Sequence, residues 1–139
     1  MYRKILIPVD LAHVGRLQKA LTTAADLARH YKIPVCYCGV TTQTPSSLAH
    51  TPAEFGEKLA AFAEGQAAEH GIETTSHPVA SHDPTIDLDA TLMKVIEETG
   101  ADLVVMASHV PNITDYIWPS NGGTIATHSS ASVFVVRET

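Results

Sequence analysis

Apolar and polar positions fall into alternating blocks along this chain, and each block has the length of one secondary-structure element. Residues 4–9 form an apolar run closed by Pro8 and then Asp10, as in a buried strand, and Leu17, Ala20, Leu21, Ala24, Leu27, Ala28 and Tyr31 recur at helical spacing. A strand, a loop and a helix are therefore predicted. Residues 33–40 follow at once, rich in β-branched and aromatic side chains, with Pro34 near the start where a missing N–H is tolerated; they read as a second strand. A polar stretch over 41–50 leads into Thr51-Pro52-Ala53-Glu54, an N-cap, a first-turn proline and an N3 glutamate. The helix begun there carries Phe55, Leu59 and Phe62 as its apolar stripe and ends at Gly71, where a left-handed cap residue is wanted. Residues 73–80 read as the third strand. Asp83-Pro84 repeats the cap-and-proline signal, Leu88, Leu92, Val95 and Ile96 line a third helix, and Gly100 closes it. The remainder reads as a strand at 103–107, a loop over 108–121, a short helix at 122–129 and a last strand at 133–136.

Strands that alternate with helices of this length must pair in parallel, because each crossover travels back along the sheet, and such crossovers are nearly always right-handed. The runs at 4–9, 102–107 and 132–136 are solidly apolar, as strands covered on both faces should be. The expectation is an α/β fold: an open, doubly wound, five-stranded parallel sheet in the order 3-2-1-4-5 with helices on both faces. The length of 139 residues, 45% of them hydrophobic, suits a single domain over 1–139.

Charge narrows the partners. Nine basic residues against 15 acidic give a net charge of −6, and the basic ones are scattered, so a nucleic-acid partner is not expected. The apolar run near the N-terminus is too short for a signal-peptide core or a membrane span, so no membrane insertion and a cytoplasmic address are expected. Cys36 and Cys38 put both thiols on one face of a strand, an arrangement poor for a mutual disulfide, and read as small apolar core residues. The eight histidines are dispersed without a recognisable metal spacing.

In open parallel sheets, ligands bind beyond the carboxyl ends of the strands where strand order reverses, here between the first and fourth strands. Residues 8–15 and 107–124 are thus the segments to inspect. Pro8, Val9 and Asp10 end the first strand; Asp10 can accept hydrogen bonds from ribose hydroxyls or simply end the strand, and both readings stay open. The second segment gathers Ser108, His109, Pro111, Asn112 and Thr114, then Ser120, Asn121, Gly122 and Gly123, just before the predicted short helix. The free N–H groups and positive dipole end of a helix start attract phosphate. No residue stands out as a general base. There is no GxxxxGK[ST] loop, no G-x-S-x-G elbow and no acidic cluster for two metals.

"ILIPVD", "ADLVVMASH" and "SVFVVR", in this order and at these distances, make the whole chain resemble the universal stress protein family. The resemblance implies an adenine-nucleotide alpha-hydrolase-like sheet, and in many members an ATP site with base and sugar at the end of the first strand. Their phosphates are held after the fourth strand by Gly-x-x-Gly, nine residues, then Gly followed by Ser or Thr. Laid on this chain without gaps, the three glycines become Ala107, Val110 and Ser120, and the hydroxyl residue becomes Asn121. A Cβ at each position removes room for a close backbone approach. The stretch Ser-His-x-Pro-x-Ile-Thr-x-Tyr…Ser-Asn is nonetheless similar to a branch of the family that keeps nucleotide binding with another loop. A Gly usually stands there where this chain has Pro119. Ser120 and Asn121 would then act through side-chain donors and Gly122 through its backbone.

The resemblance accordingly implies Pro8, Val9, Asp10 and the backbone near Val40 around adenosine, Ser108, Ser120, Asn121 and Gly122 on the phosphates, and Met106, Ala107, His109, Pro111, Ser132 and Val133 in the rest of the site. The ligand would be ATP, with Mg²⁺ shared between phosphates and water, or ADP or AMP. It also implies a homodimer through Val133, Phe134, Val135 and Val136 and a regulatory protein partner. Three functions remain open: a nucleotide-dependent regulatory stress protein; a dimeric stress or scaffold module whose phosphate loop has degenerated; and a slow phosphatase or nucleotidyl-transfer enzyme at the same site. Without a base and a cation over the γ-phosphate, hydrolysis would at most be very slow.

Overall fold

The computed structural model describes residues 1–42, 51–81, 88–108, 125, 126 and 129–137. Its strands are β1 (Ile5–Pro8), β2 (Val35–Thr42), β3 (Thr74–Ser81), β4 (Leu103–Ser108) and β5 (Ser132–Arg137), and its helices are α1 (Gln18–Tyr31), α2 (Pro52–His70) and α3 (Leu88–Thr99). The strands form one sheet in the order β3-β2-β1-β4-β5, every pair parallel, as the alternating pattern predicts. All four residues of β1 are buried, which fits its place at the centre of the sheet.

Local signals act where the sequence places them. Thr51 caps α2 by accepting from the Glu54 N–H at 3.1 Å, and Pro52 opens the first turn. Gly71 ends that helix at φ 65° with its N–H on the Ala67 carbonyl. Phe55 and Leu59 are buried, and Phe62 packs edge-on to Tyr37 at a centroid distance of 5.4 Å. Cys36 and Cys38 are free and buried in the core, as expected from their spacing.

Three boundaries differ from expectation. The second strand starts at Val35, because α1 is closed by Lys32 in the left-handed conformation (φ 57°), with its N–H on Ala28 O, so two residues are spent on the cap. No Gly or Asn announces this. The expected loop after β1 is a 3₁₀ segment over Leu11–Leu17, which leaves helical geometry at His13 (φ −133°, ψ 36°). Of the short helix expected at 122–129, residues 125 and 126 are helical, and the Ser129 N–H reaches the buried Ile125 carbonyl at 2.9 Å. The Asp83-Pro84 start of the third helix lies outside the described residues.

The amino edge of the sheet is clamped by Asp102. Its carboxylate accepts from the Arg3 N–H at 3.0 Å and from the Lys4 N–H at 3.2 Å, while Lys4 Nζ donates to Thr99 O at 2.9 Å. Tyr2 Oη donates to Ser132 Oγ at 3.0 Å across the same edge. These bonds tie the start of β1 to the start of β4 and the end of α3.

Candidate functional site

At the carboxyl edge β1 and β4 part company. Their register runs from Ile5↔Leu103 to Leu6↔Val104 and no further, whereas β1 stays paired with β2 through Pro8↔Cys38 and β4 with β5 through Ser108↔Arg137. Pro8 has no N–H to give a ladder, and Val9 turns its own N–H to Cys38 O at 2.7 Å. The two strands therefore stop pairing at the switch point of the strand order, the place where doubly wound sheets hold their ligands.

Continued past Leu6, the register sets Pro8 level with Met106 and Val9 level with Ala107. Val9, Met106 and Ala107 are all but fully buried, so the sheet is apolar at this level. Asp10 and Val40 sit one step higher and are partly exposed, and Ser108 ends β4 beside them. The structure thus brings together Pro8, Val9, Asp10, Val40, Met106, Ala107 and Ser108. His109, Pro111, Ser120, Asn121 and Gly122 lie outside the described residues.

Ser132 and Val133 do not join this group. Ser132 is level with Leu103 and Val133 with Val104, at the amino end of the sheet, and the Ser132 hydroxyl is taken by Tyr2. Four strand residues, about 13 Å, separate that level from Ala107. The expectation that these two line the site is corrected by strand polarity: in a parallel sheet the residue that begins a strand faces away from the edge where ligands sit.

Asp10 has a more specific setting than a strand-ending acid. It is the N-cap of the 3₁₀ segment: Oδ1 accepts from the Ala12 N–H at 3.0 Å, and its carbonyl accepts from the His13 N–H at 2.9 Å. Oδ2 accepts from His13 Nδ1 at 2.9 Å. His13 is the residue the sequence reading missed; its only signal was the Asp-x-x-His spacing directly after a strand end, which is short-range capping geometry. Among the described residues no group of three His, Cys, Asp or Glu is placed to hold a metal ion.

An open parallel sheet whose strand order reverses between β1 and β4 defines a doubly wound α/β protein. Residues 1–137 match the sequence profile of the universal stress protein family, and the chain belongs to that family. It is similar to universal stress protein G of Salmonella typhimurium, 28% identical over 151 aligned positions, covering 99% of this chain and 100% of that one. Among solved structures it is similar to the universal stress protein from Archaeoglobus fulgidus in complex with dAMP, with TM-score 0.64, 18% identity, and 96% and 97% of the two chains covered. A universal stress protein family protein from Arabidopsis thaliana with AMP bound matches with TM-score 0.65 and 13% identity, over 99% of this chain and 92% of that one. At these identities the two structures establish the shared fold. Among the described residues no helix is long and apolar enough to cross a membrane.

Proposed function

We propose that this chain is a cytoplasmic, homodimeric stress-response regulator that binds an adenine nucleotide where β1 and β4 stop pairing and reports its occupancy to a protein partner. The observation that carries the reading is the parting of β1 from β4 beyond Leu6↔Val104, with buried apolar residues at that level and the partly exposed Asp10 one step further. The nucleotides held by the Archaeoglobus and Arabidopsis proteins on the same fold support it. Adenine would rest on Val9 and the Val40 backbone. The phosphates would meet Ser108, His109, Pro111, Ser120, Asn121 and Gly122, with ATP and Mg²⁺ as the ligand tested first and ADP and AMP beside it.

A second reading has its own observation. Ala107, at the first glycine position of the family's phosphate pattern, is buried at this level of the sheet, so its Cβ occupies room the pattern leaves free. A dimeric scaffold without nucleotide follows if that loss is decisive.

Thermal unfolding of ligand-free protein with and without about 1 mM Mg-ATP, ADP or AMP separates the two, since a ligand that binds only the folded state raises the midpoint by mass action. The nucleotide reading expects a rise of several degrees that Asp10→Ala or Asn121→Ala removes. Because Asp10→Ala also takes away a cap, the quantity compared is the ligand-induced rise within each variant. No rise with any nucleotide, together with silent calorimetric titration, establishes the scaffold.

A further inference from the structure

The turn after β1 is complete without a histidine. Asp10 closes it through Oδ1 on the Ala12 N–H and through its carbonyl on the His13 N–H. The imidazole bond is additional, and forming it requires His13 to leave the 3₁₀ path at φ −133°, ψ 36°. What this bond does is orient a ring. A carboxylate is acceptor-only, so the hydrogen at the 2.9 Å contact belongs to His13 Nδ1, and the neutral ring must then carry a bare lone pair on Nε2. The His13 side chain is 33% exposed against 22% for Asp10, and Nε2 has no partner among the described residues. Among the described residues the imidazole thus offers an oriented acceptor at the end of β1 that no other group takes, beside two Asp10 oxygens that each hold one bond and keep a second lone pair.

We infer that His13 Nε2 is the acceptor for a ribose hydroxyl and that Asp10 is its positioning residue, fixing tautomer and ring plane. This rests on the adenine-nucleotide reading above and adds the group that recognises the sugar. A bare lone pair meets a hydroxyl or amino donor well and a phosphate oxygen poorly, and at the end of β1, where the reading above puts the sugar, that donor is a ribose hydroxyl.

Calorimetric titration of the full chain with AMP, 2′-deoxy-AMP and 3′-deoxy-AMP tests it, using wild type, His13→Ala, His13→Gln and Asp10→Asn. One neutral hydrogen bond corresponds to a preference of roughly fivefold to tenfold for AMP over the analogue lacking the contacted hydroxyl. His13→Ala is expected to erase that preference while leaving the weaker analogue's affinity unchanged, and His13→Gln, which keeps an acceptor, to restore part of it. Nitrogen-15 shifts of the His13 ring give a readout independent of any ligand. Nε2 should be unprotonated in the neutral wild-type ring, and Asp10→Asn, whose amide can donate to Nδ1, should move the proton to Nε2. Equal loss for all three nucleotides on His13→Ala, or no loss, overturns the inference while nucleotide binding stands. An Nε2–H tautomer in wild type overturns it from the protein side alone, and failure of wild type to bind any nucleotide removes both readings together.

Discussion

Gly39 marks the point where α2 closes onto the sheet. A Cβ built there would lie 2.8 Å from Phe55 Cζ, 3.0 Å from Phe55 Cε2 and 3.3 Å from Leu59 Cδ2, and both partners are buried. Phe55 stands at the start of α2, behind the Thr51 cap, so it has little room to swing away. Gly39→Ala is expected to cost about 1–3 kcal/mol in urea unfolding, and Phe55→Leu in the same chain to recover part of that by shortening the clashing side chain. An unchanged midpoint for Gly39→Ala would show that the ring yields freely. The two thiols make a different case. Burial pushes the Cys36 thiol up from its ordinary 9.0 despite the Thr75 hydrogen bond and the Lys4 charge, and burial with the neighbouring Cys36 pushes Cys38 up to about 12. Both thiols stay neutral in the folded protein where an unfolded chain has begun to lose protons. Their contribution is whole below the unfolded value and declines as pH rises from about 9 toward 12, since the unfolded state then binds fewer protons. Double replacement Cys36→Ala with Cys38→Ala should flatten the alkaline limb of a stability–pH curve; an unaltered limb would assign it to other groups. The burial of the pair was legible in the spacing, while the Gly39 contact, made with Phe55 and Leu59 sixteen and twenty residues further along the chain, was not.

Among the elements, the clamp at the amino edge shows how β1 is held in the centre of the sheet. Asp102 lies just before β4 and binds the backbone just before β1, so one carboxylate sets the relative height of the two strands. The backbone reciprocates: the Asp102 and Leu103 N–H groups both reach the Lys4 carbonyl, at 3.2 and 3.3 Å. Asp102→Ala would leave the Arg3 and Lys4 amides to water. The expected effect is a loss of roughly 1–2 kcal/mol and faster hydrogen exchange at the start of β1, with α2 amides unchanged. Exchange that accelerates equally everywhere would show global destabilisation and no clamp. At this scale the sequence was most readable where a terminus is signalled within four residues, as at Thr51 or Gly71. It was least readable where a residue acts against type, as Lys32 does in closing α1 with positive φ, and where a cap joins distant segments, as Asp102 does.

The molecule as a whole has two unlike sheet edges. On β3, Pro78 removes one donor from the outer strand, and His77 holds Glu98 of α3 at 3.2 Å, both features that discourage another strand from adding. On β5 there is no proline, and Phe134 and Val135 are 45% and 49% exposed. The proposed dimer therefore belongs on β5. Sedimentation should find wild type at twice the chain mass and Phe134→Glu at the chain mass with an unchanged far-ultraviolet spectrum; a monomeric wild type would refute the assignment. Periodicity, caps and apolar runs sufficed for the elements, the parallel sheet and its order, because each depends on neighbouring residues and on the few ways such units can connect. The sequence alone also pointed to the ends of the first and fourth strands, the level at which β1 and β4 stop pairing. Only the tertiary structure decided which residues share that edge: strand polarity and register carry Ser132 and Val133 to the far side, and the φ/ψ of one turn brings His13 back onto Asp10. Register, polarity and ring orientation are set by contacts across the chain, and a linear pattern of apolar and polar positions does not contain them.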